Sequence, residues 1–335
     1  MAQTLPFVTA IIVVRDEEQY IRNAVMSFLQ QQYPADRMEL LIIDGNSQDR
    51  TVLFAKQTVA AWESQGHYMR VRYFENPKKN LAAGWNLGIQ AAQGEYVVRI
   101  DAHAQADENL IPRCIEILQT HRDVACAGGR IAAQPMTDHG KVISYVMSSP
   151  FGVGNSKFRY ATESGYVDTV AYGVYRKSIF ERAGLFNEEF QRNQDNDMHG
   201  RIKACGGKFF LDASIVSLYH PRESVKGMMK QGRGNGRWVI IGWRKSERRE
   251  GLSPRHLIPC AFVLANLFLL LGGIFFRLFW WGLLAMYVVY FVVSIFFGLQ
   301  KTKRVDELLR WCAYCWLFHI SYGTGSLIQL FRFWD

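Results

Sequence analysis

The chain has 335 residues, six scattered cysteines and a formal net charge of +9. Its length holds one large domain or two modest ones, and its cysteine spacing excludes a small disulfide-stapled scaffold. Apolar residues make up 49% of it but concentrate from Ile258 onward, and a basic run between Arg222 and His256 precedes that tail; such a run beside an apolar segment points to anionic lipid headgroups and away from nucleic acid.

Phe7–Val14 is a continuous apolar run of strand length, as in a central parallel strand covered on both faces. It ends in Arg15-Asp16-Glu17-Glu18, without a basic leader or a small-residue cleavage site. It is therefore no secretory signal, and the soluble part is expected to stay in the cytoplasm. Ile21, Ala24, Val25, Phe28 and Leu29 mark one buried helix face, with Pro34 just beyond its end. A strand over Glu39–Ile43 runs into Asp44-Gly45-Asn46-Ser47, and a helix follows from about Asp49 to Trp62, with Ser47 or Asp49 available as cap. A strand at Arg70–Phe74, a loop at Glu75–Asn80, a helix at Leu81–Ala92 and a strand at Tyr96–Ile100 come next.

This alternation predicts an α/β domain with an open, doubly wound, mostly parallel sheet. No G-x-G-x-x-G follows the first strand, which argues against a dinucleotide-binding domain. Asp44 and Asp101 each sit at the carboxyl end of a strand, the edge where such sheets bind ligands. Asp101-Ala102-His103 reads equally as a turn opening the helix that begins near Asp107 or as a carboxylate and an imidazole sharing a divalent metal.

Past Ile131 the pattern loosens. Gln134–Gly165 reads as a long loop region able to form an acceptor wall, Val167–Tyr175 as a strand and Ser178–Ala183 as a short helix. Asp195 lies near the start of a helix that ends at Gly206-Gly207, where the dipole favours the carboxylate. It is either an N-cap or a general base. Lys208–Leu211 and Ser214–Tyr219 read as two short strands closed by His220-Pro221-Arg222.

Val225–Trp243 mixes apolar and basic residues as an interfacial amphipathic helix would, although five glycines interrupt it. Ile258–Phe276 and Leu278–Leu299 are each long enough to span a bilayer. Their flanks, Arg244–Arg255 and Lys301–Arg304, are basic, so a hairpin with both ends in the cytoplasm satisfies the positive-inside rule. Trp311–Phe331 is a third candidate, spanning or re-entrant, diluted by His319, Gly323, Gly325 and Gln329. Cys312 and Cys315 fall inside it without a second ligand pair and read as small helix residues. The expected organisation is a catalytic domain over 1–221, a basic juxtamembrane segment over 222–256 and a membrane domain over 257–335.

Acids at two strand ends, a metal-type triplet and a later carboxylate suit transfer from a nucleoside diphosphate sugar. The leaving diphosphate gains charge that a divalent metal neutralises, and the attacking hydroxyl needs a base.

At Ile11–Glu18 (IIVVRDEE), Leu41–Thr51 (LIIDGNSQDRT), Asn76–Gly88 (NPKKNLAAGWNLG), Gly94–Ala104 (GEYVVRIDAHA) and Asn193–Arg201 (NQDNDMHGR), the chain resembles the inverting glycosyltransferases of family 2, which have the GT-A fold. More narrowly, it is similar to the membrane-anchored, succinoglycan-type exopolysaccharide glucosyltransferases. The resemblance implies that Asp44 reads the nucleobase edge over a pocket floor formed by Val14, Arg15 and Glu17. It implies that Asp101 and His103 take the D-x-D position that binds ribose and metal, and that Lys79 helps hold the diphosphate. Asp195 becomes the base, with Asp197 and Arg201 in support. His220 is either a further metal ligand or a strand-end histidine. Arg222, Gln231, Arg237 and Trp238 would border the acceptor.

Two departures qualify the resemblance. D-A-H in place of D-x-D tilts the metal from Mg²⁺ toward Mn²⁺. The Q-x-x-R-W motif of processive synthases is not kept, since Gly234 stands three positions after Gln231. The expected activity is therefore transfer of one sugar, from UDP-glucose or a similar donor, to a polyprenyl-linked acceptor. It is expected at the cytoplasmic face of a bacterial inner membrane, in exopolysaccharide or cell-surface glycan synthesis. Direct glycosylation of polyprenyl phosphate and a non-catalytic membrane scaffold are the alternatives.

Overall fold

The computed structural model describes residues 5–245 and 256–332. The part of the basic run formed by Glu247, Arg248, Arg249, Glu250 and Arg255 lies outside the described residues. The chain divides into two compact units. One comprises Met1–Ala133 with Lys157–His220, the other Gln134–Ser156 with Pro221–Asp335. The expected domain over 1–221 is thus interrupted, because Gln134–Ser156 packs with the later residues.

The first unit is a mixed α/β layer structure. Its strands are β1 (Val8–Val14), β2 (Met38–Asp44), β3 (Arg70–Glu75), β4 (Tyr96–Asp101), β5 (Ala104–Gln105), β6 (Val124–Ala133), β7 (Gly165–Val167), β8 (Gly173–Arg176) and β9 (Lys208–Tyr219). They form one sheet in the order β3-β2-β1-β4-β8-β6-β9-β5, with β7 also on β9. The half β3-β2-β1-β4 is parallel, as expected. The other half departs from that reading, since β8 runs antiparallel to both β4 and β6. The run Val167–Tyr175 is two strands, and Lys208–Tyr219 is a single strand with a register shift between Gly129 and Arg130 of β6.

The helices of this unit are α1 (Ile21–Leu29), α2 (Thr51–Glu63), α3 (Leu81–Ala91), α4 (Leu110–Thr120), α7 (Ile179–Ala183) and α8 (Gln194–Ala204). They cover both faces of the sheet. Along β1, Val8, Ala10, Ile12 and Val14 join a core with α1 and α4, while Ile11 and Val13 join a second core with α3, α7 and α8. This two-sided burial is why Phe7–Val14 reads as unbroken apolar sequence. Helix α3 approaches β1 closely at two glycines. A Cβ on Gly84 would lie 2.4 Å from Val13, and one on Gly88 would lie 2.7 Å from Ile11.

The second unit is helical. Gln134–Ser156, expected as loop, contains α5 (Asp138–Met147) and the short α6 (Pro150–Val153). Thr137 caps α5 through its side chain. Helices α9 (Val225–Lys245), α10 (Ile258–Phe275), α11 (Leu278–Leu299) and α12 (Val305–Phe331) complete it. The α9 glycines are not breaks. A Cβ on Gly236 would lie 2.0 Å from the Tyr322 carbonyl oxygen, and a Cβ on Gly325 of α12 would lie 2.2 Å from the Arg233 carbonyl oxygen. Small residues here let two helix backbones touch.

Among the described residues, α10 and α11 are long and apolar enough to cross a membrane, with only 17% and 11% of their most apolar windows buried. Phe275 is 77% exposed and Leu278 is 76% exposed, surface suited to lipid. Helix α12 does not meet that test. It starts earlier than expected, at Val305, and buries Trp311, Tyr314, Cys315 and Phe318 against α5 and Met228 of α9. Its polar residues find partners inside the unit, as where Tyr290 Oη meets His319 Nδ1 at 2.8 Å.

Candidate active site

Strand register brings the first two acids together. Val13 of β1 lies opposite Asp101 on β4, and Val14 lies opposite Asp44 on β2. Both carboxylates therefore flank the end of one central strand, at the edge where parallel sheets bind ligands.

The loops at this edge hold strained backbone. The positive-φ residues other than glycine among the described residues are Asp16, Asn46, Lys79 and Asn193. The first three follow β1, β2 and β3, and the fourth precedes α8. Asn and Asp tolerate this left-handed conformation best, which accounts for Asp16 standing at that position. Left-handed residues outside glycine cluster at functional loops.

Hydrogen bonds lock these loops to one another. The backbone N–H of Asp16 donates to Ser47 Oγ at 3.0 Å, and Gln48 N–H donates to Asp16 Oδ1 at 2.7 Å. Glu17 N–H donates to Thr51 Oγ1 at 2.8 Å, and Gly45 N–H to the Val14 carbonyl at 2.8 Å. The two cap candidates divide the work: Ser47 ties down Asp16, while Asp49 Oδ1 accepts from Thr51 N–H at 2.9 Å at the start of α2. Asp44 Oδ1 accepts from Ser47 Oγ at 2.6 Å, so this strand-end carboxylate is held by the loop that follows β2. The Arg15 side chain is half-exposed, and Lys79 is exposed.

Around the D-A-H triplet, Asp101 Oδ2 lies 3.5 Å from the hydroxyl of the buried Tyr172. His103 Nδ1 lies 3.5 Å from Glu17 Oε1. His220 N–H donates to the His103 carbonyl at 3.3 Å, and the His220 ring stacks on Tyr20. Glu17, Tyr20, His103 and His220 thus form one group where β1, β4 and β9 end. Among the described residues, no three carboxylate, imidazole or thiolate side chains lie close enough to hold a metal by themselves. A small divalent ion in phosphate chemistry takes only one or two protein ligands and completes its shell with phosphate oxygens and water. Asp101 and the imidazoles suit such a partial site. Among the described residues, the buried His220 Nδ1 has no hydrogen-bond partner, as would suit a nitrogen that donates its lone pair to an ion.

The third acid reaches this edge through a residue that the sequence pattern alone did not single out. Asp195, in the first turn of α8, pairs with Nη1 of Arg99 on β4. Burial opposes ionisation of Asp195, but the Arg99 charge and hydrogen bond outweigh it and hold the carboxyl below its ordinary value. The available signal was an arginine inside an otherwise apolar strand, two positions before Asp101 and so on the same sheet face.

One turn along α8 from Asp195, His199 is buried. Its Nε2 lies 2.8 Å from Tyr175 Oη and its Nδ1 lies 2.6 Å from Thr169 Oγ1. Burial pushes its pKa down to about 3, so the ring is neutral. Asp197 and Arg201 pair with each other, Arg201 Nη2 donating to Asp197 Oδ2 at 2.8 Å, and Arg201 Nη1 also donates to the Ala183 carbonyl of α7. They brace α8.

The remaining candidates fall in the second unit. Gln231, Arg237 and Trp238 lie on α9, and Arg222 lies shortly before it. Arg237 Nε donates to Gln329 Oε1 of α12 at 3.1 Å.

Comparison with known proteins agrees with this architecture. The chain is 28% identical over 326 residues, 95% of each chain, to a dolichyl N-acetyl-α-D-glucosaminyl phosphate 3-β-D-2,3-diacetamido-2,3-dideoxy-β-D-glucuronosyltransferase of Methanococcus voltae. It is 25% identical over 229 residues to the succinoglycan biosynthesis protein ExoA of Rhizobium meliloti, covering 66% of this chain and 65% of that one. Among solved structures, the mannosyltransferase PcManGT from Pyrobaculum calidifontis, in complex with GDP-Man and Mn²⁺, shares the fold. Its TM-score is 0.65 at 16% identity, over 97% of this chain and 87% of that one. The family described as Glycosyl transferase family 2 matches residues 9–184, more than half of the chain. With a GT-A-like sheet carrying acids at the edge where parallel sheets bind ligands, the chain belongs to glycosyl transferase family 2 and is a glycosyltransferase.

Proposed function

We propose that this glycosyltransferase moves one sugar from a nucleoside diphosphate donor, UDP-glucose or similar, to a polyprenyl-linked saccharide, with inversion and with a divalent metal. The observation that most supports this reading is the register of β1, which sets Asp44 and Asp101 on either side of one strand end.

In this reading Asp44 takes the nucleobase edge, over a floor formed by Val14, Arg15 and Glu17, and Lys79 offers its charge to the diphosphate. Asp101, His103 and His220 are the candidate metal ligands, one or two of them acting beside phosphate oxygens and water; the metal's contribution when bound is to neutralise charge on the leaving diphosphate. Imidazole donors favour Mn²⁺ over Mg²⁺. Asp195 takes the acceptor hydroxyl's proton, on a helix braced by Asp197 and Arg201. The resemblance assigns Arg222, Gln231, Arg237 and Trp238 to the acceptor. Helices α10 and α11 anchor the enzyme, and basic flanking residues keep the catalytic unit on the cytoplasmic face of a bacterial inner membrane. A lipid-linked acceptor is supported by that anchor and by the dolichyl-linked acceptor in the name of the Methanococcus voltae relative.

The test is transfer by purified full-length protein with Mn²⁺, a panel of nucleoside diphosphate sugars and an extract of lipid-linked intermediates. Asp195→Asn is expected to lose transfer at least 100-fold while still binding nucleotide. Retained transfer removes Asp195 as the base. A second reading, sugar transfer directly to polyprenyl phosphate, draws support from the Arg99 pairing, which weakens Asp195 as a base, while a phosphate acceptor is already anionic and needs none. Full activity of Asp195→Asn on polyprenyl phosphate would establish it.

A further inference from the structure

Arg99 and Asp101 lie two residues apart on β4 and leave the strand on the same face. Only 6% of the Arg99 side chain is exposed. Its guanidinium carbon sits 5.1 Å from the Trp85 ring centre and 5.2 Å from that of Phe186. Two aromatic faces so placed stabilise a desolvated cation and restrict its movement, and Asp195 supplies its counter-charge.

The pairing uses one Asp195 oxygen. Oδ1 accepts from Arg99, whereas Oδ2 makes no hydrogen bond within the described residues, and the side chain is 41% exposed. One oxygen is thus fixed by a buried arginine held between two aromatic rings, while the other is not tied to the protein in this way.

We propose that Arg99 is a positioning residue for the transfer reaction. It clamps the Asp195 carboxylate through Oδ1 and leaves Oδ2 to face the acceptor hydroxyl. This rests on Asp195 being the base. A purely structural ion pair, holding α8 to the sheet, would affect stability but not turnover.

The experiment uses full-length protein in detergent and nucleotide release from UDP-hexoses and GDP-hexoses with Mn²⁺, water being the acceptor. Arg99→Met is expected to lower kcat at least 100-fold with donor KM within threefold, and Arg99→Lys to recover at least tenfold of that loss. In an Asp195→Asn background, Arg99→Met is expected to cost less than threefold more, because the group that it positions is gone. If Arg99→Met does not fold, Arg99→Lys carries the test: tenfold lower kcat at constant KM supports positioning, and wild-type kcat overturns it. Losses that multiply across the two sites overturn it too. Wild-type activity of Asp195→Asn overturns the base assignment and this proposal together, whereas an inactive Asp195→Asn beside fully active Arg99 variants overturns the positioning role alone.

Discussion

Tyr20 and His220 stack with ring centres 4.4 Å apart and planes 28° apart. Tyr20 stands just before α1, and His220 just after β9, so residues remote in sequence fix one imidazole next to His103. The stack holds the His220 ring still, while its buried Nδ1 has no hydrogen-bond partner among the described residues. Supporting contacts to a metal ligand commonly matter about 10–100-fold in affinity. His220→Ala is therefore expected to raise the Mn²⁺ concentration for half-maximal nucleotide release at least tenfold. Tyr20→Ala should do so less, and Tyr20→Phe, which keeps the ring, should change little. An unchanged Mn²⁺ requirement in His220→Ala would make His220 a strand-end residue with no ligand role.

Acid sensitivity is expected to trace to His199. The residue is 2% exposed, and burial pushes its pKa down to about 3, against about 6.5 in the unfolded chain. Between those values the unfolded state binds a proton that the native state does not, so stability rises with pH across that window. This contribution is complete above about pH 6.5 and is lost as the pH falls toward 3. Each pH unit between the two values is worth about 1.4 kcal/mol, so the whole loss amounts to a few kcal/mol. Asp195, held below the ordinary carboxylate value, adds a loss of the same sign at the acid end of that range. Unfolding midpoints measured from pH 7 to pH 4 should fall steadily in the wild type and more shallowly in His199→Gln. Equal slopes would mean that His199 is not the sensor.

Glu39 anchors the opposite end of the sheet. Its carboxylate is fully buried and accepts from Thr9 Oγ1 at 2.8 Å, Gln93 N–H at 2.8 Å and Arg72 Nη1 at 3.1 Å. Removing one member of such a group leaves its partners unsatisfied, at a cost of about 3–5 kcal/mol. Glu39→Ala should lose that much in denaturant unfolding without changing donor KM in the fraction that folds. A loss below about 1 kcal/mol, the worth of an exposed pair, would show that the group is effectively solvated.

Local pattern alone determined the parallel half of the sheet and the edge carrying Asp44 and Asp101, because a strand buried on both faces reads as unbroken apolar sequence and its end is marked by the first polar residues. It also determined α10 and α11, whose apolar runs match a bilayer's thickness. Where pairing crosses long stretches of chain, local pattern is silent. The antiparallel insertion of β8 between β4 and β6 depends on residues remote from either strand. The interior of α12 reads as diluted because its polar groups are satisfied by other helices, and the α9 glycines read as breaks because the backbone that they approach lies far along the chain. The Arg99–Asp195 pair belongs with these. An arginine in an apolar strand and an acid at a helix start are each ambiguous alone, and only the fold, by burying one beside the other, turns two local irregularities into one charged unit.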